Sequence, residues 1–497
     1  MRMGDRKTPG VYVVEENAFP NGVVDVATGV PVFLGYTATG DATKAVRIGS
    51  MDDFQRLFGG TGGAPRMFGY VSGDNWHVVP VMERQSLLEL SLRLYFANGG
   101  GNCYVISLGG LEMAKSPAHF VKGLEVSERE MEPSIVVAPD AVVLNYTDWK
   151  TVKLAMVAHC ASLQSRIAIL DVHRGWAAMN TASDPVNGAS DGGEGALPGQ
   201  VVAAGGSGFR AAMTGVAGLN YAAAYYPWLQ ASVVTAREID ANWLDAGTLG
   251  ALGADVGAQG AGGSAVADMG KELATATAER RSAMHGELMA ASPRYAAVME
   301  AVRVAANLLP PSAAMAGIYA RTDAVSGVYA APANVGIVDG VPVVGIDESQ
   351  QDDLNMPVSG LAVNALRVFP SLGPLVWGAR TLDGNSQDWR YVNVRRTMIY
   401  LEQSIKVATQ AYVFEPNSAN TWLAVQSRIE NFLTGFWKMG GLAGAKPEDA
   451  FSVDVGLGST MTGQDILDGY MRVAVKVAVA HPAEFIVITL QQLMAKS

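Results

Sequence analysis

A mixed α/β fold is predicted for this chain, and three features of its 497 residues predict it. Between Val26 and about Asn180, short apolar runs bounded by Gly, Pro or Asp alternate with stretches of helix formers, the pattern of a sheet covered by helices. In the C-terminal third the apolar period is first three to four residues and then two, so amphipathic helices give way to a strand. Both ends of the chain are strand-forming sequence with no obvious place in that sheet.

In chain order, Val11 to Val14 is a short β-rich run after Pro9, isolated by the turn-forming Pro20-Asn21-Gly22. Its backbone groups need a partner from elsewhere. Phe33 to Tyr36, Tyr104 to Leu108, Ile135 to Ala138 and Ile167 to Val172 read as strands, with helices over Val81 to Phe96 and Asp148 to Gln164. Two Gly/Ala-rich stretches, Thr181 to Ala212 and Ala246 to His285, hold few large apolar residues and are expected as surface insertions or mobile loops. Lys271 to Val304 is expected to run as a helix until Pro310-Pro311.

Further on, Val394, Met398, Leu401, Ile405, Ala408 and Tyr412 form one apolar stripe on a helix. Trp422, Val425, Ile429, Phe432, Leu433 and Phe436 mark a second helix ending at Gly440-Gly441. Val473, Val475, Val477 and Val479 then alternate with wetter residues, as on a half-buried strand, and Glu484 to Leu490 is a last extended segment.

A chain of this length buries about three quarters of its unfolded surface, so a stable core is expected. The formal net charge of −11 argues against phosphate neutralisation and hence against nucleic acid as a direct partner. Cys103 and Cys160, the two cysteines, both lie in apolar segments and read as small buried hydrophobes in a reducing compartment. Pro9-Gly10 interrupts the N-terminus before any signal-peptide core, and no run of about 18 apolar residues offers a membrane span.

Catalytic signals are weak. GGTGG (59–63) and NGGGN (98–102) are not followed by Lys-Ser/Thr, and the second leads into a strand where a dinucleotide fold needs a helix. The six histidines show no metal-ligand spacing. Cys160, Asp171 and His173 could be drawn into a thiol-imidazole arrangement, and Asp347, Glu348, Asp352 and Asp353 into a cation site, but the latter lacks the glycine and final Glu of a calcium loop. No cofactor or metal residue is assigned. Arg395, Arg396 and Lys406 fall on the side of the first C-terminal helix away from its apolar stripe, facing either a partner or solvent, with Glu402 and Lys406 as an i, i+4 pair.

One ordered series of segments goes further. It comprises TPGVYVVE (8–15), VATGVPVFLGYTATG (26–40), FANGGGNCYVI (96–106), PSIVVAPD (133–140), AILDV (168–172) and YYPWL (225–229). It continues through LPPSAAMAGIYARTDAVSGVYAAPAN (309–334), WGARTL (377–382), WRYVNVRR (389–396), VFEPN (413–417) and PAEFI (482–486). Covering roughly three quarters of the chain, the series resembles the contractile tail sheath proteins of bacteriophages and of phage-tail-like extracellular injection systems.

That resemblance implies a non-enzymatic structural subunit that stacks as hexameric rings in a helical sheath around an inner tube protein, bounded by baseplate and tail-terminator proteins, without membrane insertion. It implies synthesis in the bacterial cytoplasm and a place in a phage tail or a released particle, the two left open. It further implies strand exchange between subunits by Val11, Tyr12, Val13 and Val14 and by Phe485, Ile486, Val487 and Ile488. The expected organisation is an N-terminal arm at 1–25, an outer α/β domain at 26–349 carrying the insertions near 181–212 and 246–285, an inner tube-facing domain at 350–480 and a C-terminal arm at 481–497. Arg395, Arg396 and Lys406 are the expected inner-tube contact. The alternative is an α/β enzyme with superficial similarity, which would carry a bound ligand and elute as a small species.

Overall fold

The computed structural model describes residues 26–59, 65–181, 184–188, 198, 208–259 and 264–484. Within these the chain forms two compact units, a larger one from Ala27–Tyr400 together with Val479 onward, and a smaller one from Leu401–Ala478.

The larger unit is built on a nine-stranded sheet in the order Val335–Gly336, Gly373–Trp377, Asn364–Phe369, Ala222–Tyr226, Ile167–Asp171, Ile135–Val137, Pro31–Thr37, Cys103–Gly110, Val46–Ile48. The six strands from Asn364–Phe369 to Cys103–Gly110 pair in parallel, and antiparallel strands close both edges. Parallel strands are covered on both faces, which is why IVV (135–137) and IAILD (167–171) are continuous apolar runs with every residue buried. Helices Leu88–Ala97 and Ser312–Ser326 pack together and onto the sheet, as do Pro117–Ser127 and Tyr146–Leu163.

The four predicted strands and the helix at 148–164 are present. The helix expected over Val81 to Phe96 is not continuous. His77–Gln85 is a strand paired with Arg66–Val71, and the helix starts at Leu88. Pro80 and the run of valines around it favour an edge strand, where a proline is tolerated because one face of its backbone donates to nothing.

The second Gly/Ala-rich stretch forms packed helices instead of a loop. Ala246–Gln259, Ser264–Leu273 and Ala278–Ala291 bury Leu249, Leu252, Val256, Val266, Leu273, Met284 and Leu288. Its glycines are the reason. A Cβ on Gly253 would sit 2.0 Å from the carbonyl oxygen of Gly270, so the two backbones approach as no alanine would allow. Small residues thus build a close crossing where large apolar side chains are scarce. The expected helix from Lys271 to Val304 is cut twice, at Thr277 and at Ser292, whose side chains cap the next helices, the second with Pro293 in its first turn. Most of the first Gly/Ala-rich stretch lies outside the described residues; of the rest, Val186 and Phe209 are buried.

The smaller unit begins at Leu401, not near Gln350, because Asn364–Phe369 and Gly373–Trp377 complete the large sheet. It holds the predicted second helix, Ala419–Lys438, which buries Val425, Ile429, Leu433 and Phe436. Gly440 follows in the left-handed region (φ +88°), and the Gly441 amide donates back to the Phe436 carbonyl at 3.1 Å, the expected end. Phe451–Val455 and Val473–Val477 form a two-stranded antiparallel hairpin against that helix, so the predicted strand is present.

Candidate assembly site

Strand order reverses at Pro31–Thr37, whose neighbours are Cys103–Gly110 on one side and Ile135–Val137 on the other. In open α/β sheets this switch point, at the carboxyl ends of the strands, is where ligands bind. Here a carboxylate of the chain itself takes the place. Asp140, fully buried, accepts from the backbone amides of Tyr36 (2.7 Å), Leu87 and Leu88 (3.1 Å) and from the Ser86 hydroxyl (3.3 Å). The amides of Leu87 and Leu88 belong to the start of helix Leu88–Ala97, so the carboxyl group caps that helix. Burial pushes the Asp140 carboxyl up, and the amides of Tyr36 and Leu87 and the Lys115 ammonium offset only part of that.

Near each end of the described chain, at Thr28 and at Glu484, the larger unit holds the backbone or side chain by buried arginines. At the N-terminal side, the Thr28 carbonyl accepts from Arg396 Nη2 at 3.0 Å and from the Ser134 hydroxyl. Arg396 forks onto Asp323 with bonds of 2.9 and 2.5 Å, lies 4.7 Å above the Tyr319 ring, and both members of the pair are buried. Burial alone would lower the Arg396 pKa, but Asp323 outweighs it and holds the guanidinium charged. Gly29 fits against the Ala320 backbone, where an added Cβ would meet Ala320 Cα at 2.8 Å. At the C-terminal side, Glu484 is held by Arg380, Asn355 and Tyr391, as described below.

Of the residues expected at subunit contacts, Val11 to Val14 and Phe485 to Ile488 lie outside the described residues. Arg395 and Arg396 are not on a free face. They are 3% and 4% exposed. The Arg395 guanidinium stacks between Tyr221 (4.5 Å) and Trp389 (4.4 Å), and Arg396 makes the Asp323 fork. A single apolar stripe implies an exposed opposite side only where a helix has one neighbour. The first half of helix Val392–Thr409 is surrounded, and both arginines serve as buried, partnered cations. Lys406 is exposed, as expected. Reversing Lys406 to Glu should therefore leave the thermal melt unchanged to within about 0.5 kcal/mol. Reversing Arg396 should cost about 3–5 kcal/mol by stranding Asp323 against a second buried carboxylate. Circular dichroism melts of the two single variants decide this.

The other candidates have structural partners. Asp171 accepts from the Ser312 amide (2.9 Å) and hydroxyl (2.6 Å), His173 Nε2 faces the Leu144 carbonyl (3.0 Å), and burial pushes the Cys160 thiol up to about 12. Asp347 caps helix Glu348–Asn355, and Asp353 pairs with Arg210 at 2.7 Å. Among the described residues no group of three or more His, Cys, Asp or Glu is placed to hold a metal ion, and no helix is long and apolar enough to cross a membrane.

In the smaller unit the hairpin pairs from Phe451↔Val477 to Val455↔Val473, and among the described residues no third strand joins it. Two strands alone are marginal. The same unit exposes Val413 (60%) and Phe414 (103%), with Phe414 in the left-handed region at φ +72°.

The larger unit is thus a doubly wound sheet with Asp140 buried at its switch point, and in the smaller unit, among the described residues, the hairpin stays two-stranded. Residues 385–492 match the phage tail sheath C-terminal domain. The sheath of the extracellular contractile injection system PVC, in its contracted state, is 28% identical over 98% of this chain and 98% of its own, with a TM-score of 0.61. The helical sheath of the anti-feeding prophage in its contracted state is 27% identical over 98% and 99%, with a TM-score of 0.59. The tail sheath protein of Vibrio phage KVP40 is 28% identical over 138 residues, 27% of this chain, and the match spans 20% of that relative's length. This chain is a structural sheath subunit of the contractile injection type.

The residues that sequence reasoning missed, Asp323, Arg380 and Glu484, were on the page. They lie in the ARTD, WGARTL and PAEFI segments that carry the resemblance. What signalled them was the segment, not the charge.

Proposed function

We propose that the subunit polymerises into stacked hexameric rings around an inner tube and contracts to drive that tube through a target envelope. The observation that carries this reading is the likeness, over 98% of the chain, to the subunit of a contracted sheath. The hairpin, two-stranded among the described residues, supports strand exchange as the link between copies, with Val11 to Val14 and Phe485 to Ile488 as the exchanged strands. We assign the smaller unit to the tube-facing side, with Lys406 as a contact to the tube, and the larger unit to the outside. Baseplate and terminator proteins would bound the polymer, which is assembled in the bacterial cytoplasm as part of a phage tail or a released particle.

The chain is not an enzyme on this reading. The likeness to structural sheath subunits supports that. On this reading the work of contraction is stored during assembly in a lattice that is only kinetically stable.

Co-expression with the tube protein, followed by negative-stain imaging, tests the reading. Long tubes are expected, and particles no larger than a monomer or dimer would overturn it. Mild heat or denaturant should then convert extended sheaths to a shorter, wider form without ATP, and cooling should not restore them. A requirement for ATP, or reversible shortening, would rule out stored strain.

A further inference from the structure

The C-terminal side of the larger unit holds a compact polar cluster that the sheath reading alone does not explain. Residues 401–478 form the smaller unit, the chain then returns to the larger one at Val479, and Glu484 is the last described residue before the C-terminal segment. The Glu484 carboxylate accepts from Arg380 Nε (3.0 Å) and Nη2 (2.5 Å), from Asn355 Nδ2 (2.9 Å) and from the Tyr391 hydroxyl (3.0 Å). The Arg380 side chain is 3% exposed and that of Glu484 20%. Just upstream, the Ala480 carbonyl accepts from Asn393 (3.3 Å), and the His481 ring stands edge-on to Tyr391.

Arg380 is itself tied into the sheet. Its amide donates to Asn364 Oδ1 at 2.7 Å, and Asn364 Nδ2 donates to the carbonyls of Arg380 (2.8 Å) and Ala224 (3.1 Å). Asn364 and Ala224 stand on neighbouring parallel strands, Asn364–Phe369 and Ala222–Tyr226. A path therefore runs from Glu484 through the part-buried fork to the Arg380 side chain, and from the Arg380 backbone through the buried bonds of Asn364 to the large sheet. A bidentate arginine–carboxylate fork is both strong and directional, so it fixes the angle of the chain as well as its position.

We propose that Glu484 and Arg380 form a latch that fixes the chain at residues 479–484 to the larger unit, so that tension applied from the C-terminal side is delivered to the large sheet. The latch is a property of the single subunit; only its mechanical consequence rests on the sheath reading. Arg380 and Glu484 are positioning residues, because they act through the placement of residues 479–484.

The latch has a pH signature. Burial would raise the Glu484 pKa, but the bonds from Arg380 and Asn355 outweigh it and hold the carboxyl below its ordinary value. Stability from a depressed carboxyl is present above the unfolded pKa and is lost as pH falls through the folded one. The charged and titratable groups around it are Arg380, Tyr391, Arg390 beyond Tyr391, and His481. An H481N background separates the histidine from the carboxylate.

The test is amide hydrogen exchange of the full-length subunit, read at residues 479–484 as protection relative to the core strand Ile167–Asp171. E484Q should lower protection at 479–484 by about tenfold or more, with the core unchanged, since a fork of this kind carries the free energy of local opening. R380K should fall between. Wild type should lose the same protection on acidification, and E484Q should show no such dependence. Equal protection in wild type and E484Q, or an acid profile that E484Q retains, overturns the latch. In sheaths, E484Q should assemble and then break into rings on contraction. Intact contracted tubes would overturn the delivery of tension while leaving the latch. Failure of wild type itself to form tubes would count against the sheath reading and not against the latch.

Discussion

Deleting residues 1–17 or 485–497 is expected to abolish polymer formation while leaving a folded subunit. Everything the structure shows as core lies between residues 26 and 484, including the nine-stranded sheet and the helix-backed hairpin of the smaller unit. On the proposed reading, the removed segments carry apolar strand formers that pair with another copy. Cooperative melting should therefore be retained and tubes should be absent by electron microscopy and sedimentation. Tubes of normal length from either truncation would show that the copies are joined elsewhere. The position of the cut matters. A deletion from Val479 would also remove Glu484 and leave Arg380 as an uncompensated buried charge, at a cost of about 3–5 kcal/mol. The two C-terminal truncations should thus differ in melting temperature although neither polymerises.

The second large effect is expected at Asp323. D323A strips the carboxylate from a guanidinium enclosed by Tyr319 and the start of the N-terminal segment, so stability should fall by about 3–5 kcal/mol. Replacing both partners with apolar residues of similar size, as in D323L/R396M, should recover most of that loss, because no buried charge is left unpaired. The double variant still lacks the bond from Arg396 to the Thr28 carbonyl. Denaturant titration should therefore show near-normal stability, while hydrogen exchange at residues 27–30 is faster than in wild type. A D323A midpoint equal to wild type would mean that Arg396 is solvated and not enclosed.

Much of this protein was legible in its sequence. Continuous apolar runs such as IVV and IAILD announce buried parallel strands, the stripe from Val425 to Phe436 announces a one-sided helix, and Gly440 announces its end. These signals are local: each depends on a period or a backbone preference within one element. What only the tertiary structure decided is which neighbours surround an element. The stripe predicts helix Val392–Thr409 but reaches past its end to Tyr412, and Arg395 and Arg396 are enclosed because aromatic rings from residues 221, 319 and 389 close over the side away from it. The Gly/Ala-rich helices were read as loops because side-chain volume was taken as the measure of packing, whereas backbone proximity at Gly253 and Gly270 does the packing there. Partners such as Asp323 for Arg396, or Glu484 for Arg380, stand 73 and 104 residues apart. No periodicity reaches that far, and a charge in sequence carries no sign of whether its counter-charge is water or a buried carboxylate until the fold brings the two together.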